Sequence, residues 1–188
     1  MPKEETTMTL SSTTARRAVC LDTETTGLSA AYDRVCEIAA LAFDPLTFEH
    51  TQAYHVYINP GVPVPYAAQC VHGLTNERLS REPAFARIAE AFIDFVHDSD
   101  VYIHNASFDK RMLDAELVRN GFRTLEDYGC RIHCTLRMAR RLRGRGTTNT
   151  LDALCRAYGV NTSARVLHGA LIDTELLLAV LPHLMKAA

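Results

Sequence analysis

Two carboxylates, Asp22 and Glu24, stand two residues apart, directly after the apolar run Ala18-Val19-Cys20-Leu21 and just before a Thr25-Thr26-Gly27 turn. A short, unbroken apolar run bounded by a turn reads as a central strand buried on both faces. Alternate residues of a strand share a face, so both acids project the same way, where their repulsion is costly unless a cation sits between them. Hard divalent cations such as Mg²⁺ take carboxylate oxygens. A polar strand end in solvent is the plainer alternative, and an Asp-x-Glu alone does not choose between the two. A metal centre needs further carboxylates from elsewhere in the chain.

The elements that would position such a centre follow in order. Val35-Cys36-Glu37-Ile38-Ala39-Ala40-Leu41-Ala42-Phe43 reads as a second buried strand stopped by Asp44-Pro45. Ala53-Tyr54-His55-Val56-Tyr57-Ile58 reads as a third, closed by Asn59-Pro60-Gly61. Short links between the three suggest an antiparallel meander. Thr75 offers a helix cap, and Phe85, Ile88, Ala89, Phe92, Ile93 and Val96 recur at the spacing of an amphipathic helix over residues 84–97. A strand at Val101 to His104 leads to Asn105, which is expected to cap a helix carrying Asp109 in its first turn and ending at Asn120-Gly121. A short strand at Arg131 to His133 precedes a helix to Leu142. Asn149 is expected to cap another, ending at Tyr158-Gly159, and the last helix runs from Ala170 through Leu181 with Asp173 on its early turns. Strands followed by alternating strand and helix indicate an α/β domain over residues 16–186, with a mixed five-stranded sheet flanked by helices. Residues 1–15, rich in Thr and Ser without an apolar period, read as a flexible arm dispensable for chemistry.

Composition narrows the possibilities. With 188 residues, 47% hydrophobic and 22% charged, the chain can bury a full core as one domain. A formal net charge of −2 excludes a broadly basic nucleic-acid binder but leaves room for a local patch. The run Arg140-Arg141-Leu142-Arg143-Gly144-Arg145 is the candidate patch. It is open whether these cations complement a helix C-terminus or contact phosphates. The six cysteines are dispersed and nothing at the N-terminus reads as a signal peptide, so reduced thiols in the cytoplasm are expected. Cys130, His133 and Cys134 lack the second ligand pair of a structural zinc site. No apolar stretch approaches the roughly 18 residues of a membrane span.

The motifs then converge. LDTETTGL at 21–28, HNASFDKRML at 104–113 and LHGALIDTELL at 167–177 resemble, in this order, the three exonuclease motifs of the DEDDh class. VHGLT at 71–75 and NTLDALCRAYGV at 149–160 resemble the proofreading epsilon subunits of bacterial DNA polymerase III. The resemblance covers about residues 17–184. It implies a ribonuclease-H-like fold, two divalent cations (Mg²⁺ or Mn²⁺), and removal of nucleotides from the 3′ end of single-stranded or frayed DNA. It also implies partnership with a polymerase catalytic subunit, which the resembled subunits bind through a tail beyond the nuclease. Carried over position by position, Asp22, Glu24, Asp109 and Asp173 match the metal-binding carboxylates and His168 the general base. Thr23, Thr25 and Gly27 would line the terminal nucleotide, Val71 and His72 contact it, and Phe108 stack or wedge beside the last bases. One position departs from the pattern, since Ala67 stands where the epsilon subunits often carry an acid. RNA trimming by a nuclease of the same class and a catalytically silent polymerase-binding subunit are the competing readings. The VHGLT and 149–160 matches favour DNA, and the complete set of acids with His168 argues against a silent subunit.

The residue types fit this chemistry on their own terms. Four carboxylates can hold two cations roughly 3.5–4 Å apart, activating water and stabilising a leaving oxygen. Asp22, on the central strand, is best placed to bridge them, with Glu24 and Asp173 at the water side and Asp109 at the other. His168 precedes Asp173 by five residues, about 140° around a helix, so the two cannot share a helical face. His168 is therefore expected in the loop before the last helix, where a pKa near neutrality suits proton abstraction.

Overall fold

In the computed structural model, which describes residues 16–144 and 146–186, the run from Ala18 forms the third of five strands. The arm at residues 1–15 and Arg145 lie outside the described residues. Strand β1 (Ala18–Thr25) pairs antiparallel with β2 (Val35–Phe43), which pairs antiparallel with the edge strand β3 (His50–Tyr57). The chain then forms α1 (Tyr66–His72), α2 (Asn76–Leu79) and α3 (Phe85–Val96). It re-enters the sheet on the other side of β1 as β4 (Asp100–Ile103), parallel to β1. After α4 (Ser107–Arg119) comes β5 (Arg131–Cys134), parallel to β4, and then α5 (Thr135–Arg143), α6 (Leu151–Tyr158) and α7 (Ala170–Met185). The sheet order β3-β2-β1-β4-β5 is the mixed five-stranded sheet expected from the pattern.

β2 is buried at every position because helices cover both faces of the sheet's centre. Val19 and Leu21 of β1 join Ile38, Ala40, Phe92, Met112 and Leu113 in a core beneath α3 and α4. Ala18 and Cys20 pack instead with Leu41, Leu177, Leu178 and Leu181, beneath α7. Strand alternation therefore decides where the acids point. Asp22 and Glu24 continue the row that faces α7, and Thr23 continues the row that faces α4.

β1 continues through Thr25, which pairs with Val35 past a bulge after Glu24, so both acids lie within the strand as expected. Two expectations about helix caps are corrected. Asn149 does not cap α6; Thr150 does, its hydroxyl accepting the Ala153 N–H at 3.3 Å. The Asn149 amide is buried and donates to the Gly144 and Thr147 carbonyls, closing the preceding loop. Asn105 does not cap α4 with its side chain. It takes a left-handed backbone (φ 63°), which Asn tolerates better than most residues, and turns the chain from β4 into the helix. The Cys130–Cys134 segment is committed elsewhere, with Cys130 Sγ donating to the Val96 carbonyl and His133 paired with Asp100. Among the described residues no helix is long and apolar enough to cross a membrane.

The link from β1 to β2 is tied down by Glu116 of α4, which is 1% exposed. Arg34 donates to both its oxygens, at 2.6 and 2.8 Å, and Val35 N–H adds a third bond at 3.2 Å. Arg119 Nη1 also lies 3.6 Å from Glu116 Oε1, so removing Arg34 leaves the buried carboxylate with one weaker cation partner and costs less than the roughly 3–5 kcal/mol of a buried charge left unpaired. Arg34→Ala should therefore lower unfolding stability by about 2 kcal/mol in urea titrations. A loss below about 1 kcal/mol, the worth of a surface pair, would show that the link is held by something else.

Candidate active site

α7 brings Asp173 to the acids of β1. Asp173 lies in the first turn of α7, buried, with its N–H on the Gly169 carbonyl at 2.9 Å. His168 sits in the preceding loop with an exposed imidazole, its Nδ1 3.1 Å from Asp173 Oδ2. Glu24, His168 and Asp173 each offer a ligand atom, all within 4.8 Å of one another. Asp109, in the first turn of α4, is buried on the far side of β1, where its Oδ1 accepts a hydrogen bond from Thr23 Oγ1 at 2.7 Å.

Two hollows flank these acids. A cleft of about 670 Å³ is bordered by Asp22, Asp173, His168, Asn105, Arg140 and Arg165. A second hollow of about 550 Å³ borders Glu24 and is lined by Thr23, Thr25, Gly27, Val71, His72 and Phe108. All six residues expected at the terminal nucleotide thus share one pocket. Several are also structurally engaged. The Thr23 hydroxyl is spent on Asp109, and the Thr25 hydroxyl donates to the Gly27 carbonyl at 2.7 Å. A Cβ at Gly27 would lie 2.5 Å from Asp33 Oδ2, so a side chain there would displace the carboxylate that accepts the Ser29 N–H. His72 is 6% exposed and its Nδ1 accepts the Leu74 N–H, leaving Nε2 buried without a well-formed hydrogen bond among the described residues.

Crowding dominates the electrostatics. Burial, followed by the charges of Asp109, Asp173, Glu24 and Glu37, raises the pKa of Asp22 well above the ordinary carboxylate range. Burial, then Glu37, Asp173 and Asp109, pushes Glu24 up to about 8 against the opposing charge of Arg165. Burial raises Asp109 to about 7 although the Thr23 hydrogen bond pulls it down. Carboxylates with one imidazole, strained by mutual repulsion and including a buried Asp173 Oδ1 without a well-formed hydrogen bond, make a donor set that fits a hard divalent cation.

Known proteins place this geometry. The family model RNase_T, described as Exonuclease, matches residues 19–181. The chain belongs to this exonuclease family. It is 40% identical to the DNA polymerase III subunit epsilon of Pasteurella multocida over 165 residues, covering 86% of this chain and 65% of that one. It is 36% identical to the Escherichia coli K12 subunit over 173 residues, covering 88% and 70%. The chain therefore spans just under two thirds of the Pasteurella relative's length. Among solved exonuclease structures, exonuclease I superposes with a TM-score of 0.78 at 21% identity, covering 92% of this chain and 41% of that one. Exonuclease X in complex with 5′ overhanging duplex DNA gives 0.70 at 24% identity, covering 91% and 92%. The fold is the ribonuclease-H-like one expected from the motifs.

Two further residues, Arg165 and Glu37, stand beside the acids of this exonuclease-family site. Arg165 is 9% exposed at its side chain; Nη2 donates to Asp173 Oδ2 at 2.7 Å and lies 2.7 Å from His168 Nδ1, while Nη1 pairs with Asp152 of α6. Its Nε approaches Asp173 Oδ1 at 2.5 Å, out of line for a hydrogen bond. A lone arginine in a loop has no spacing that marks it. Glu37 does carry a signal, being a charged residue inside an apolar strand, and it pairs with Glu24 across the β1–β2 ladder. In the arginine run, Arg140 borders the cleft, whereas Arg143 donates to the Thr148 carbonyl and braces its own loop.

The crowding has a sign that stability can read. Unfolded, Glu24 and Asp109 ionise near pH 4; folded, they hold protons to about 8 and about 7. Between those limits the folded state binds more protons, so stability falls as pH rises. His72 and His104, whose pKa burial lowers, work in the opposite direction only below about 6.5. From pH 6.5 to 8.5 in EDTA the Tm should therefore fall, each kcal/mol costing about 2–4 °C. Mg²⁺ or Mn²⁺ should restore it most at the alkaline end. A Tm in EDTA that rises across this window would contradict the assignment.

Proposed function

We propose that this chain is a 3′-to-5′ exonuclease that uses two divalent cations, Mg²⁺ or Mn²⁺, to remove nucleotides from the 3′ end of single-stranded or mispaired DNA. We assign it to proofreading beside a replicative polymerase in the cytoplasm. The carrying observation is the meeting of Asp22, Glu24, Asp173 and His168 at the border of two hollows, one lined by all six nucleotide-contact candidates. The similarity to epsilon subunits supports DNA as substrate and a polymerase as partner.

Asp22, Glu24, Asp109 and Asp173 would hold the cations, and bound there the cations supply Lewis-acid polarisation of the phosphate and charge stabilisation at the leaving oxygen. The protein's residues do the rest. The terminal nucleoside occupies the hollow, with Phe108 offering a ring face to the base and His72 Nε2 a buried donor to the sugar or phosphate. His168 borders the cleft on an exposed loop and takes the proton of the attacking water. The water oxygen joins phosphorus, the bond to the 3′-oxygen of the penultimate nucleotide breaks, and a 5′-mononucleotide leaves. Arg140, across the cleft, is the member of the arginine run placed to meet a backbone phosphate.

A timed digest of a 5′-labelled oligonucleotide tests this reading. Mg²⁺ or Mn²⁺ should produce a ladder shortening one nucleotide at a time, faster from a mispaired than a paired end because less unpairing is required. EDTA should abolish it. Cutting of a circular single strand, or a preference for RNA over DNA, would overturn it. In the same assay His168→Ala should lose about 10²–10⁴-fold in kcat while retaining Mn²⁺ binding. A variant that loses Mn²⁺ instead would make His168 a ligand rather than a base.

A further inference from the structure

Glu37 is an acid that no step above uses. It sits in the middle of the Val-Cys-Glu-Ile-Ala-Ala-Leu-Ala-Phe strand β2, 2% exposed. Its Oε2 accepts the backbone N–H of Ala170 at 3.1 Å, and its Oε1 lies 2.8 Å from His55 Nε2 on β3. Both oxygens are already engaged by the protein, and Glu37 is not part of the Glu24, His168 and Asp173 group whose ligand atoms lie within 4.8 Å of one another. The bond to Ala170 is informative because of what α7 lacks. The first N–H groups of a helix have no partner within it, and the residue before α7 is Gly169, which has no side chain to supply one. The sheet supplies it, with a carboxylate at the end of the helix where the dipole favours negative charge.

The anchored stretch is the one that carries the chemistry. Ala170 opens α7, Asp173 follows within the same turn, and His168 stands two residues before. The His168 N–H is itself bonded to the Val71 carbonyl of α1 at 3.0 Å. Residues 168–170 are thus pinned from one side by α1 and from the other by β2, directly opposite Glu24 in the ladder. We propose that Glu37 is a positioning residue of this site: held by His55, it fixes the start of α7 to the sheet and so sets Asp173 and His168 against Asp22 and Glu24. This inference rests on the exonuclease reading for its kinetic effect, and on cation binding alone for its independent test.

Three substitutions separate position from charge. Glu37→Gln keeps an oxygen for the Ala170 N–H and an amide for His55. Glu37→Asp keeps the charge but is one methylene short of the helix, and Glu37→Ala removes both. Each would be assayed for kcat and KM on single-stranded DNA, for Mn²⁺ dissociation constant by electron paramagnetic resonance without DNA, and for Tm. Groups that orient metal ligands are worth about 10–100-fold in affinity or activity. The Asp and Ala variants should therefore weaken Mn²⁺ binding and lower kcat within that range, with KM little changed because the nucleotide hollow stands on other elements. The Gln variant should recover most of both losses. A normal Asp variant beside an impaired Gln variant would overturn the proposal in favour of charge. Unchanged Mn²⁺ affinity and kcat with only a lower Tm would overturn it in favour of a purely structural role. Should the Ala variant fail to fold, the Asp and Gln pair still decides. A wild-type protein that binds Mn²⁺ but hydrolyses nothing would count against the exonuclease reading instead, and the Mn²⁺ comparison would still test Glu37.

Discussion

Asp22, Glu24, Glu37, Asp109 and Asp173 are drawn together at the edge of the cleft, all but Asp22 buried, and the other four each raise the free energy of ionising Asp22. The rest of the architecture maintains that unfavourable arrangement. A strand buried on both faces carries two of the acids on the side of α7, and the neighbouring strand β4 ends at Ile103 so that the chain can turn at Asn105 into α4, delivering Asp109. The apolar layers of Val19, Leu21, Phe92 and Leu113 on one side and Cys20, Leu177 and Leu181 on the other offset the repulsion by burial. An exposed scaffold would let the acids swing apart into solvent.

The same constraint explains the company the acids keep. Asp109 is hydrogen-bonded by Thr23, Glu37 by His55 and the start of α7, and Asp173 by Arg165. Arg165 brings its guanidinium between Asp173 and Asp152, so a protein cation already neutralises part of the cluster. His168 shares that guanidinium while remaining exposed, which leaves the imidazole free to turn towards the cleft. Positions nearest the acids are thus held by hydrogen bonds and ion pairs, and the one residue proposed to move a proton is on an exposed loop.

Much of this is legible in the sequence where a period or a motif carries the signal. The unbroken apolar runs of β1 and β2 mark central strands, the short links mark the meander, and the five-residue offset from Asp173 places His168 in a loop. What escapes is what depends on three-dimensional contact. The exchange of roles between Asn149 and Thr150 turns on which of two adjacent cap-forming residues is turned inward to serve the carbonyls of the preceding loop. The helix α1 follows a Pro-rich segment and is ended by Gly73 at φ 74°, in a stretch too short for its periodicity to show. Arg165 has no motif, because its significance lies in Asp152 and Asp173 approaching it from two helices. Glu37 is visible as an anomaly in an apolar strand, yet only the fold reveals that the N–H it satisfies belongs to residue 170.

The central claim is that repulsion among buried acids holds protons which a divalent cation displaces. Titration calorimetry with Mn²⁺ at pH 7.5, repeated in two buffers of different ionisation enthalpy, measures this directly. With Glu24 at about 8 and Asp109 at about 7, these two groups alone should release about one proton per protein at pH 7.5 and almost none at pH 9.5, and Asp22, raised by the same crowding, adds to the release. Binding at pH 7.5 with the same apparent enthalpy in both buffers, and hence no proton released, would contradict the account.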